Sequence, residues 1–184
     1  FTGQSERTWV LGTNPATTLE AVKQEAVGKR VVILASGDPL FFGIGNLALK
    51  VFGPESVSFL PNVTALQKTF ARLKLPWNEA RAISVHGRKP MDFFPALADP
   101  GLIAIYTDPK NTPDRLAKLL LEFGMANRSV AVVEEIGSKE EQCWEIDLVT
   151  AAGKQFAPLN VMVLYPFEEQ QKTIIFGLED ELFR

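Results

Sequence analysis

Residues 31 to 45, VVILASGDPLFFGIG, constrain the fold more than any other stretch of this chain. Val31 to Leu34 show no polar alternation, which predicts a parallel strand buried on both faces. The run empties into Ser36-Gly37-Asp38 and then Pro39, so the turn falls at a strand's carboxyl end, where open α/β sheets hold their ligands. The glycine spacing excludes two common readings. A Walker loop needs Gly-Lys-Ser/Thr after four residues, whereas five residues separate Gly37 from Gly43 and Ile44 follows. The dinucleotide fingerprint needs G-x-G-x-x-G, and here Gly43 to Gly45 comes after the turn with Leu47 and Ala48 behind it.

The rest of the chain alternates helical and extended patterns. Asn14-Pro15 reads as a helix start, with Leu19, Val22 and Ala26 as its apolar stripe and Gly28 as its end. After the strand at 31 to 35 the pattern predicts a helix from about Leu40 to Val51, a short strand Val57 to Leu60, a helix Thr64 to Leu73 and a strand Arg81 to Val85. A second half follows: strand Leu102 to Tyr106, helix Thr112-Pro113 to Phe123, then strands Ser129 to Glu134, Gln142 to Ile146 and Val161 to Tyr165. This alternation predicts an α/β fold of two units with a largely parallel sheet. The boundaries expected are an amino-terminal α/β domain over 1–88, a carboxy-terminal one over 89–167, and a tail or linker over 168–184.

Composition narrows the function classes. With 184 residues and 46% hydrophobic content the chain can build a sizeable core. A net charge of −3 argues against a general nucleic-acid binder, which needs a basic face to displace counterions from phosphates. Cys143 is the single cysteine and His86 the single histidine, so neither a disulfide nor a Cys/His metal pair is expected, and the pattern suits a reducing compartment such as the cytoplasm. No apolar run approaches the roughly 20 residues needed to span a bilayer.

Several segments together resemble a known family. The turn ASGDP, then SFLPNVTALQKTFARLKLPWNEARAISVHGR, IAIYTDPKNTP, VVEEIG and FAPLNVMVLY appear in the order found in tetrapyrrole methylases, over about residues 6 to 166. The stretch PWNEARAISVHGR is most similar to members that methylate C5 of a corrin precursor. The resemblance implies two α/β domains with a cofactor cleft between them, S-adenosylmethionine as cofactor, a tetrapyrrole substrate and a homodimer. It also implies that a first strand and its G-x-G-P-G loop lie outside this chain. FGLEDELF, near the end, is similar to the linker that leads to a decarboxylating C15-methyltransferase domain in bifunctional members, and reads equally as a solvated acidic tail.

By position, the resemblance implies cofactor contacts from Ser36, Gly37, Asp38 and Phe41, from Thr64 and Ala65 on the adenosine side, and from Thr107 and Ile136 against the adenine and ribose. Each has an ordinary alternative: Asp38-Pro39 and Thr64 as helix caps, Thr107 and Ile136 as loop or core packing. Phe42 reads as core, and Gln67 and Phe70 as scaffold. His86 and Arg88 are the substrate-side candidates, because a guanidinium binds carboxylates in bidentate fashion; Arg81, Lys89 and Lys110 are lesser ones. No metal ligand set and no catalytic base is assigned. The implied function is S-adenosylmethionine-dependent C-methylation at C5 of a precorrin or cobalt-precorrin in cobalamin biosynthesis. The alternatives are a methylase for another tetrapyrrole position, a non-catalytic tetrapyrrole- or nucleotide-binding module, and a structural α/β domain.

Overall fold

The computed structural model describes residues 8–126 and 128–167, which leaves the segment 168–184, with its linker-like sequence, outside the described residues. The chain divides into two compact units, Phe1–Thr64 and Ala65–Arg184. The sequence pattern places that division near Arg88. It falls earlier because strand β1, Arg81–Ser84, forms a parallel ladder with β2, Ile103–Tyr106, from Arg81 opposite Ile103 to Ser84 opposite Tyr106.

In the first unit, helix α1 (Pro15–Glu25) starts as its sequence predicts: the Asn14 side chain accepts from the Thr17 amide at 3.3 Å and Pro15 occupies the first turn. Helix α2 (Gly45–Phe52) packs against it, with Leu19, Val22, Ala48 and Val51 buried. The Lys23 ammonium donates to the Val51 carbonyl at 2.6 Å, satisfying a helix-end acceptor. Two expectations fail here. Neither 31–35 nor 57–60 forms a ladder among the described residues, and Val32 and Leu34 are exposed rather than doubly buried. An apolar run becomes a buried strand only where neighbours complete its hydrogen bonds on both sides, and the described residues of this unit supply none. The helix expected from Leu40 begins at Gly45 instead, because Phe42 takes φ +53° and interrupts any helical path. The same left-handed residue stands about half exposed, at 49%, so Phe42 is not core.

The second unit holds helix α3 (Ala65–Leu73), β1, helix α4 (Pro90–Leu97), β2, helix α5 (Pro113–Glu122), β3 (Ser129–Glu134), β4 (Gln142–Asp147), helix α6 (Leu148–Gly153) and β5 (Asn160–Leu164). Their five strands form one sheet in the order β1-β2-β5-β3-β4. Only β1 and β2 run parallel; β5 lies antiparallel to both β2 and β3, and β4 antiparallel to β3, which corrects the expectation of a largely parallel sheet. The β3–β4 link is a short antiparallel return, for which no crossover helix is needed. Ile103, Ile105, Val130, Val132, Met162 and Leu164 line one face and meet Phe93, Leu97, Leu116, Leu120 and Leu148 in a continuous core. The other face carries buried Ala104, Ala131, Val133, Val161 and Val163, so the three central strands are apolar on both sides, as their unbroken sequence runs predict.

Among the described residues of this unit one cation is buried. Arg128, only 1% exposed, donates to the carbonyls of Tyr165 at 2.6 Å, Leu97 at 2.9 Å, Asp99 at 2.8 Å and Gly101. Its guanidinium also lies 4.6 Å from the centre of the Phe167 ring. Burial pulls it down to about 10, partly offset by the nearby Asp99 charge, so it remains a cation at neutral pH. The fork joins the end of α4, the turn before β2 and the end of β5, three segments whose carbonyls lack ladder partners at these points. Arg128→Lys, with one compact ammonium in place of the fork, is expected to lower unfolding free energy by about 2 kcal/mol in denaturant titrations.

Candidate functional site

The first unit's candidate residues lie in the turn Ser36–Phe41 and at Thr64. Gly37 adopts φ +69°, and the Asp38 carboxylate accepts from the Leu40 amide at 2.8 Å while its carbonyl accepts from Phe41 at 3.2 Å. Asp38 therefore closes an Asx-type turn rather than capping a helix. Behind it, the Pro39 carbonyl accepts from the Gly45 amide at 2.7 Å. A Cβ at Gly43 or Gly45 would stand 2.7 or 2.6 Å from that same oxygen, which explains why the G-x-G is glycine. A Cβ at Gly37 would lie 3.3 Å from the Thr64 Cα. The fold thus brings together two predicted contacts, Gly37 and Thr64, that are far apart in sequence. Thr64 is 6% exposed, Asp38 and Phe41 are half-buried, and Ser36 is exposed.

In the second unit the remaining candidates gather at the ends of β1, β2 and β3. Ala65 opens α3, and the next amide, Leu66, donates to the Tyr106 hydroxyl at 3.1 Å, which sets the helix start beside the end of β2. Phe70 on that helix is fully buried, as its scaffold reading expects. The Thr107 hydroxyl donates to the Asn160 side-chain oxygen at 2.7 Å. Asn160 lies opposite Glu134, the last residue of β3. Glu135 then adopts φ +48° and its amide donates to the Leu159 carbonyl at 2.8 Å, which leads into half-buried Ile136 and the left-handed Gly137.

His86 and Arg88 are exposed, and the loop that carries them is fastened from beneath. Asp108, 7% exposed, accepts from the Gly87 amide at 2.8 Å, from Lys110 at 2.7 Å and from Asn111 at 2.6 Å. The Asn111 amide donates in turn to the Val85 and Arg88 carbonyls, both at 3.1 Å. Burial opposes the charge on Asp108, but these donors outweigh it and hold the carboxyl below the usual carboxylate range. Of the lesser cationic candidates, Arg81 is committed to Asp99 at 3.2 Å. Asp108, Asn111, Glu134 and Asn160 escape a motif reading because they look like ordinary turn and strand-end residues; the dense Asp-Pro-Lys-Asn-Thr-Pro turn was the one available signal.

The residues present suit a small zwitterionic nucleoside better than a phosphate. No Lys or Arg occurs between Arg30 and Lys50, so the Gly37 turn itself contributes backbone groups and one carboxylate but lacks the lysine of a phosphate loop. Among the described residues no group of three or more His, Cys, Asp or Glu could hold a metal ion.

The sheet and its strand-end loops define the fold of the tetrapyrrole methylases. The chain is similar in structure to a uroporphyrin-III C-methyl transferase from Thermus thermophilus complexed with S-adenyl homocysteine, with a TM-score of 0.69 and 21% identity over 85% of this chain and 75% of that one. Residues 5–152 match the family described as Tetrapyrrole (Corrin/Porphyrin) Methylases, and the chain belongs to that family. It is 34% identical over 114 residues to a cobalt-precorrin-7 C(5)-methyltransferase of Salmonella typhimurium, covering 62% of this chain and 56% of that protein. It is 30% identical over 182 residues to a decarboxylating precorrin-6Y C(5,15)-methyltransferase of Sinorhizobium, covering 92% of this chain and 43% of the relative. The chain thus spans about half the length of these curated relatives.

Two measurements check the local geometry. Gly45→Ala forces a methyl against the Pro39 carbonyl and is expected to cost about 1 to 3 kcal/mol in thermal or denaturant unfolding. Because the Asp108 carboxyl is held low in the fold, its contribution is fully present above about pH 4 and is lost as pH falls through its lower folded value. Exchange of the Gly87 amide should therefore accelerate in acid beyond the intrinsic trend, and Asp108→Asn should abolish that pH dependence.

Proposed function

We propose that this chain is an S-adenosylmethionine-dependent C-methyltransferase acting on C5 of a precorrin or cobalt-precorrin in cobalamin biosynthesis. The observation that carries the reading is the close approach of the Gly37 turn to Thr64, two segments at which the family resemblance implies the cofactor. The names of the two sequence relatives support the ring position.

The residues proposed to contact the cofactor are Ser36, Gly37, Asp38, Phe41 and Thr64 in the first unit and Ala65, Thr107 and Ile136 in the second. When bound, S-adenosylmethionine supplies a methyl group already activated by its sulfonium. The chain's task is then mainly to orient the partners and exclude water, which accounts for about 7 to 11 kcal/mol in well-aligned reactions, so a strong general base is not required. Arg88 projects an exposed guanidinium suited to a substrate carboxylate, with His86 beside it. The full protein is proposed to act as a cytoplasmic homodimer; a fused C15-methyltransferase domain and a plain acidic tail are the two alternatives for what the end of the chain leads into, the first supported by the C(5,15) activity in the Sinorhizobium relative's name. No helix among the described residues is long and apolar enough to cross a membrane.

Titration with S-adenosylhomocysteine, followed by calorimetry and thermal shift, tests the reading. Saturable binding is expected, and Gly37→Val should weaken it at least about tenfold by crowding Thr64 and straining a left-handed residue. Absence of binding to the wild-type chain overturns the cofactor assignment. Transfer of a labelled methyl to a precorrin separates an enzyme from a module that only binds.

A further inference from the structure

Behind Thr107 lies a chain of hydrogen bonds that fixes which way its hydroxyl points. Glu134, 6% exposed, accepts from the Trp144 indole N–H at 2.6 Å through one carboxylate oxygen and from the Ala157 amide through the other. Lys154 Nζ sits 3.6 Å from the centre of the Trp144 ring and closes the far side of the carboxylate's indole partner. With its amide held in this way, Ala157 turns its carbonyl to the Asn160 side chain, whose Nδ2 donates to it at 2.6 Å. A carbonyl can only accept, so this bond settles the orientation of the Asn160 amide and leaves Oδ1 facing Thr107.

The remaining step is forced. Asn160 Oδ1 can only accept, and the Thr107 Oγ1 lies 2.7 Å from it and 3.5 Å from the Asn160 backbone carbonyl, also an acceptor. The hydroxyl proton is therefore committed to Asn160 Oδ1, the much shorter of the two contacts. What half-buried Thr107 has left to offer a ligand is lone pairs alone. A hydroxyl free to rotate reads donors and acceptors alike; one whose proton is pinned reads donors only.

We infer that Thr107 is a specificity-determining residue, polarised by Glu134 and Asn160 to accept from the exocyclic amine of the cofactor's adenine and to repel a purine carrying a carbonyl there. The inference rests on the proposed seating of the adenosine against Thr107 and Ile136. Burying two acceptors face to face leaves both unpaired, so discrimination is expected to come as much from rejection of the wrong purine as from affinity for the right one.

The test compares S-adenosylhomocysteine with S-inosylhomocysteine, in which a carbonyl oxygen replaces the amine, by calorimetry on the full chain. Wild-type protein is expected to prefer the adenine form by about tenfold or more, the worth of one buried hydrogen bond. Thr107→Val should collapse that ratio toward unity, whereas Thr107→Ser, which restores the hydroxyl, should retain it. Asn160→Leu frees the proton to turn outward and should raise the relative affinity of the inosine form without abolishing binding of either ligand. An unchanged ratio in Thr107→Val, or no preference in the wild type, overturns this inference while leaving the cofactor reading intact. Failure of the wild type to bind either ligand overturns the cofactor reading and this one with it.

Discussion

The antiparallel insertion of β5 between β2 and β3 is the constraint on which the second unit depends. It places Val161 opposite Tyr106 and Asn160 opposite Glu134, so the ends of two strands that are distant in sequence are measured against one residue. Every polar tie at that edge follows from this register. A one-residue slip would turn Met162 and Leu164 away from the helix-covered face and carry Asn160 off Thr107. The apolar strands therefore do more than fill a core, because their pairing decides which side chains meet where the sheet ends.

Much of the second unit was legible in the sequence because its elements announce themselves locally. Ile103 to Tyr106 and Val130 to Glu134 are apolar runs of strand length, and Thr112-Pro113 marks a helix start that the fold keeps. Strand direction was not legible. Alternating helices and strands suggested parallel pairing, but direction is set by where each connection delivers the chain, a long-range property that no local pattern encodes. The first unit failed for a related reason. Val31 to Leu34 have the composition of a central strand, yet pairing partners, not composition, make a strand, and the chain there is exposed and unpaired among the described residues.

The candidate site divides in the same way. Gly37 drew attention as a glycine in a turn after an apolar run, and the fold sets it against Thr64, another candidate far from it in sequence. The supporting residues were not recognisable. Asp108 and Asn111 sit in a turn whose composition explains them adequately, and only the coordinates show that they hold up the backbone under His86 and Arg88 rather than merely turning the chain. Polar groups that act through another residue's backbone leave no periodic trace in a sequence.

The surroundings of Trp144 give the molecule a built-in optical gauge. Its indole is flanked by a carboxylate acceptor at the ring nitrogen and an ammonium over the ring face, two opposite charges that shift the energy of the excited state in definable ways. Any displacement of the segment bearing Lys154 and Ala157 alters one or both of these neighbours. With Trp9 and Trp77 replaced, the emission of Trp144 therefore registers, in real time and without a label, whether that edge of the sheet is locked or loosened.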